Sequence, residues 1–170
     1  IVVTFHSIDR FHAKWGLPVI AQILINCTEI IIAALGDGKG NTISVIPMRK
    51  LYITDKGKAW AGITIEDASY IELAKKFVKI TKWRGGCELE IMQTTDGVSY
   101  IMEVNPRFPA WIYLTAAAGQ NQPATLVKMA MGEHVEPFQT YEVGKMFIRY
   151  SWDLITDVSE FQKISGEGEL

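Results

Sequence analysis

The segment 87–105 constrains the chain most. Two apolar runs, 87–93 and 98–104, flank Thr95-Asp96-Gly97, a turn-forming triplet, so they predict two antiparallel strands joined by a tight connection. Side chains alternate between the faces of a strand. Glu88, Glu90 and Met92 therefore share one face of the first strand, and Glu103 and Asn105 share one face of the second. The spacing about the turn brings Glu90 and Glu103 close across the pair. Two facing carboxylates in apolar strands repel each other and lose solvation. A bare hairpin has no reason to carry them.

A divalent cation between the two removes that conflict. Mg²⁺ suits such a set, because it takes hard oxygen ligands and keeps part of its shell for water and phosphate. Asn105 adds an amide oxygen two residues from Glu103, and Pro106 biases it toward an extended backbone. Arg107 follows with a planar fork suited to a phosphate or carboxylate. Glu90, Glu103 and Asn105 are the candidate metal ligands and Arg107 the candidate catalytic cation. Glu88, taken alone, is expected on a solvated face.

The remaining pattern predicts an α+β (α/β) chain. Segments 20–25 and 29–35 are apolar enough for strands. The turn formers 36–41 separate the second from a strand at 42–48, which makes an antiparallel hairpin. Loops are expected at 56–58 and at Gly62. Asp67 can cap a helix whose inner face carries Ile71, Ala74, Phe77 and Val78, with Gly85-Gly86 as its stop. Short helices are expected at 109–118 and 123–131, each followed by glycine, and a strand at 144–152. The tail 166–170 has little to bury. The basic pair Arg49-Lys50, at the far end of the first hairpin, could reach the substrate side or form a solvated strand end, and both residues are left outside the site. His6, His12 and His134 are scattered, which suits surface positions better than a catalytic cluster.

Composition excludes several classes. The chain has 170 residues, net charge −2 and 48% hydrophobic residues, which rules out a disordered chain and offers no basic patch for nucleic acid. No apolar run approaches the roughly 20 residues of a membrane-spanning helix, and no signal peptide opens the sequence. Two cysteines without a Cys/His cluster argue against a disulfide framework or structural zinc and suit a reducing, cytoplasmic setting. The first residue is Ile1, inside an apolar run, so the chain is read as part of a longer protein.

The stretch from Glu90 to Arg107 resembles the metal-binding hairpin of the ATP-grasp superfamily. Glu103-Val104-Asn105-Pro106-Arg107 is similar to the motif of the branch holding carbamoyl-phosphate synthetase large subunits and biotin carboxylases. Phe108-Pro109-Ala110-Trp111 and Ala116-Ala117-Ala118-Gly119 resemble that branch as well. The resemblance implies antiparallel sheets with packed helices. It implies an adenine hinge at Gln22, Ile23 and Leu24 and a ribose contact at Glu29, although many relatives carry Glu where this chain has Gln22 or Ile23. ATP with Mg²⁺ or Mn²⁺ would be bound, and a carboxylate activated as an acyl phosphate for attack by an amine or similar nucleophile. Small-molecule acids and amines are the implied partners, with a homodimer as a further expectation. The alternative is a catalytically inactive nucleotide-binding regulatory module. Residues 15–19 resemble the start of a lid strand, yet Val19 runs straight into the hinge strand. Roughly 30–50 residues of a mobile lid are therefore expected to be missing between Val19 and Ile20; the alternative is a truly deleted lid, which would make a degenerate enzyme. By this reading 1–19 leads into the lid subdomain and 20–170 forms the carboxy-terminal ATP-grasp subdomain. The amino-terminal substrate domain of relatives lies outside this sequence.

Overall fold

The computed structural model describes residues 27–54 and 59–151, with isolated positions nearer the two ends. The strand expected at 20–25, the hinge residues Gln22, Ile23 and Leu24, the junction at Val19–Ile20 and loop 56–58 lie outside the described residues, as do His6 and His12. So does most of the tail.

The described strands are β1 (Cys27–Asp37), β2 (Thr42–Ile53), β3 (Ala59–Thr64), β4 (Arg84–Thr94), β5 (Ser99–Asn105) and β6 (Met146–Ile148). They form one sheet in the order β5-β4-β1-β2-β3-β6, antiparallel at every junction. The helices are α1 (Ala68–Thr81), α2 (Tyr113–Ala117) and α3 (Gln122–Ala130). The expected mixture of antiparallel strands and packed helices is therefore found.

β1 lies centrally and is covered on both sides, which explains its unbroken apolar run. Ile30, Ile32 and Ala34 pack with Leu89, Ile91 and α1 residues Tyr70 and Ala74. Ile31 and Ala33 face the other way, against Met48, Trp111 and Leu114. That second face carries the site. The α1 cap is as expected, with the Asp67 carboxylate accepting from the Ser69 N–H at 2.8 Å. Tyr70 reaches deeper than the expected Ile71, which is only partly buried.

Three expectations need correction. Gly62 is not in a loop but inside β3, where a Cβ would lie 2.3 Å from Met48 Sδ. Gly85-Gly86 does not stop α1; that helix ends at Lys82, in the left-handed region with φ 51°, and both glycines belong to β4. Gly86 is small because the Phe108 ring lies against it: a Cβ there would meet Phe108 Cε1 at 2.3 Å. The late strand spans only Met146–Ile148, held by pairing with β3 rather than by burial of its own.

Candidate functional site

Strand register assembles the site. Glu90 of β4 lies directly opposite Glu103 of β5, and Glu88 lies opposite Asn105. On its other side Glu90 pairs with Ile31 and Glu88 with Ala33. The expected metal ligands Glu90, Glu103 and Asn105 therefore share the sheet face that α2 partly covers. Beyond Glu103 the register shifts, so Ile91 pairs with Ile101 and Met102 is the extra residue of a bulge.

A cavity of about 610 Å³ opens on this face. Lys50, Glu88, Glu90, Glu103, Arg107 and Arg149 supply its charged lining, with Ile31 and Trp111 among its apolar walls. A smaller cavity of about 230 Å³ adjoins it, and Lys50 and Glu90 line both. Glu29, expected at a ribose, lines the smaller one. Its carboxylate accepts from Lys50 Nζ at 2.6 Å, and the same ammonium is 3.7 Å from Glu90. The Lys50 side chain is only 9% exposed. It is thus an inward-facing cation of the site, the substrate-side reading of the two that the sequence left open; its neighbour Arg49 is the exposed one.

Glu88 also departs from expectation. It is 5% exposed, not solvated. One oxygen accepts from Asn105 Nδ2 at 3.2 Å and Arg107 Nη1 at 3.1 Å, and the other from Trp111 Nε1 at 3.3 Å. Burial first, then the charge of Glu90, pushes its carboxyl above the usual range, against the pull of Arg107 and the Trp111 bond. Arg107, with its side chain more than half exposed, projects from the start of the loop that folds back over β4.

Sequence reasoning left Lys50 out of the site and missed Glu88, Trp111 and Arg149. Strand parity already placed Glu88 beside Glu90, and that signal was available. Arg149 follows β6; its N–H donates to Trp60 O at 2.9 Å, and its guanidinium lies 5.9 Å from the Phe147 ring centroid. Nothing local in the sequence marks it. His134 is exposed and paired with Glu136, as a surface position should be.

Among the described residues, no three His, Cys, Asp or Glu side chains form a group that could hold a metal unaided. The donors that register brings together are two carboxylates and one amide. That set fits a hard cation which keeps several ligands from water and phosphate. Asn105 commits its amide nitrogen to Glu88, so Oδ1 is the end able to face a cation.

Residues 18–149 match a family model described as "ATP-grasp in the biosynthetic pathway with Ter operon". Pyruvate carboxylase from Rhizobium etli has a similar structure, with TM-score 0.60 and 19% identity over 84% of this chain and 15% of its own. The biotin carboxylase domain of Hydrogenobacter thermophilus 2-oxoglutarate carboxylase, solved with MgADP, ADP and bicarbonate, gives 0.55 and 20% over 66% and 26%. The ATPase subunit of phosphoribosylaminoimidazole carboxylase from Aquifex aeolicus gives 0.56 and 16% over 81% and 50%. At these identities the likeness is one of fold. The chain spans half or less of each of these proteins. No curated protein matches the sequence.

Proposed function

We propose that this chain, which belongs to the ATP-grasp family, is the nucleotide- and metal-binding part of an ATP- and Mg²⁺-dependent ligase. The reaction would activate a carboxylate as an acyl phosphate for attack by an amine or similar nucleophile. One observation carries the reading: Glu90 faces Glu103 on a cavity that also presents Lys50 and Arg107. The Hydrogenobacter domain, solved with MgADP and bicarbonate, supports the choice of nucleotide and metal.

The roles of residues 22–24 rest on the family resemblance, and the others on position. Gln22, Ile23 and Leu24 would receive the adenine and Glu29 the ribose hydroxyls, with Lys50 beside Glu29 turned toward the phosphates. Glu90, Glu103 and Asn105 would hold Mg²⁺ or Mn²⁺. When bound, that ion supplies charge neutralisation on the phosphate oxygens. Arg107 would orient the transferring phosphoryl group or the acid, and Arg149, on the cavity wall, adds a second guanidinium for the acid. The acid's oxygen attacks the γ-phosphorus, and the bond to the β,γ-bridging oxygen breaks, so ADP leaves with that electron pair. The amine then attacks the acyl carbon, expels phosphate with the electron pair of the broken C–O bond, and gives up its proton to that departing phosphate. The chain's part is to bind, align and exclude water, which suits a transfer that needs little covalent help from the protein.

A homodimer fits this reading, since the Hydrogenobacter domain was solved as a dimer. No described helix is long and apolar enough to cross a membrane; a cytoplasmic setting is proposed from cysteine usage.

The test is Mg²⁺-dependent ADP release by wild type and Glu103→Gln, with panels of acids and amines and thermal melts alongside. The amide keeps the shape and removes the charge that anchors the metal. Turnover should vanish while the melt holds, or rises as the facing carboxylates cease to repel. Near-wild-type turnover by Glu103→Gln refutes the metal role. A wild type that binds MgATP without any turnover leaves the regulatory module as the function.

A further inference from the structure

Glu88 stands in the same row of side chains as Glu90, on the same face, yet its chemistry differs. Its carboxylate is buried, and both oxygens are already occupied by donors. A carboxylate so committed has little left for a cation. What it does hold are two residues of the site, Asn105 and Arg107, on a single oxygen. The other oxygen fastens the pair to the Trp111 indole, which is itself buried in the core beneath α2.

We propose that Glu88 is the positioning residue of the site: a buried carboxylate that sets Asn105 and Arg107 in register with Glu90 and Glu103 and touches neither nucleotide nor metal. The inference rests on the roles given above to Asn105 and Arg107. Three features make the arrangement more than a packing detail. Asn105 lies opposite Glu88 in the strand register, so its amide needs no loop movement to be held. Arg107 lies beyond the end of β5, where no ladder fixes it; the bond to Glu88 ties its exposed side chain back to the sheet. Arg107 Nη1 also donates to Phe108 O at 3.2 Å, so one guanidinium nitrogen is fixed by two acceptors.

Glu88→Gln tests this sharply. Glutamine keeps the shape, but one oxygen becomes an NH₂. Whichever way that amide lies, it must point a donor either at Trp111 or at the Asn105–Arg107 pair. At least one of the bonds becomes a donor–donor contact, and the negative charge beside Arg107 is lost.

The experiment is a kinetic cycle of wild type, Glu88→Gln, Arg107→Ala and the double variant, read as Mg²⁺-dependent ADP release and as Mn²⁺–ADP affinity by calorimetry. Loss of a residue that orients ligands costs about 10–100-fold in metal affinity or activity. Glu88→Gln should fall in that range, with kcat reduced more than the KM for ATP is raised. The loss in the double variant should be smaller than the product of the two single losses, because the part of Glu88's action that passes through Arg107 is already gone and only its hold on Asn105 remains. The Trp111 indole N–H resonance should move in Glu88→Gln. If that variant does not fold, Glu88→Asp, which keeps the charge and withdraws the oxygens by one methylene, carries the same cycle.

Wild-type kcat in Glu88→Gln, or losses that multiply in the double variant, overturn this inference while leaving the ligase reading intact. A wild type that neither turns over nor binds Mn²⁺–ADP overturns the reading of the site, and this inference with it.

Discussion

Gly86→Ala separates stability from turnover. The backbone at Gly86 is outside the left-handed region, so alanine meets no conformational strain there. The obstacle is the Phe108 ring, which the new Cβ would meet at 2.3 Å from Cε1, 2.4 Å from Cδ1 and 2.8 Å from Cζ. An ordinary contact begins near 3.4 Å, so the ring edge must retreat by about 1 Å. Overpacking of this kind costs about 1–3 kcal/mol, and replacing glycine within a strand returns about 0.5–1 kcal/mol. The net loss is about 0–2.5 kcal/mol, or at most about 10 °C in Tm for a chain of this length. That leaves a typical domain almost wholly folded. Turnover should suffer far more. Phe108 follows Arg107 in sequence, and its carbonyl accepts from that guanidinium; a misplacement of about 1 Å costs on the order of 10²-fold. Gly85→Ala is the control. Its φ of +93° imposes backbone strain, but nothing lies within 4 Å of its Cβ, so stability should drop and turnover should hold. Urea midpoints and ADP release on the three proteins decide the matter. Wild-type turnover in a folded Gly86→Ala refutes the claim that Phe108 seats Arg107.

Two further outcomes follow from the fold. Gly36→Ala would bring a Cβ to 2.3 Å from the carbonyl oxygen of Trp83, a backbone atom that also accepts from Gly38 N–H at 2.9 Å; the turn after α1 must shift, at a cost of about 2–4 kcal/mol, and a melt within 2 °C of wild type contradicts it. Burial pushes the Cys87 thiol from an ordinary 9.0 up to about 12. The folded state therefore keeps its proton where the unfolded chain releases it, so this group's contribution is complete below pH 9 and is lost as pH rises toward about 12. At pH 10 the loss is about 1 kcal/mol. Urea midpoints at pH 7.5 and 10 should fall further apart in wild type than in Cys87→Ala, and equal differences refute the shift.

The parts of this molecule that were legible in its sequence are those decided by near neighbours. The 87–105 hairpin announces itself through its turn triplet and flanking apolar runs, and parity alone puts Glu90 and Glu103 on one face, as their pairing confirms. Asp67 could be read as a cap because capping is a matter of two residues. Everything missed depends on strands brought together from afar. Lys50 can be read as the solvated end of β2 until β1 sets Glu29 beside it, 21 residues away in sequence. Arg149 joins the cavity only because β6 closes on β3, a pairing of three residues that no pattern foretells. The Met102 bulge is invisible because period-2 alternation assumes an unbroken ladder. Glu88 is the instructive case. Parity had already placed it next to Glu90, but its burial depends on the return of residues 106–111 over β4, and that return depends in turn on the space left at Gly86. A glycine pair read as a helix stop is thus better understood as room for the loop that carries Arg107. Acidic residues on a strand face mark where a cation can go; which of them remains available is settled by the loop that closes over the strand.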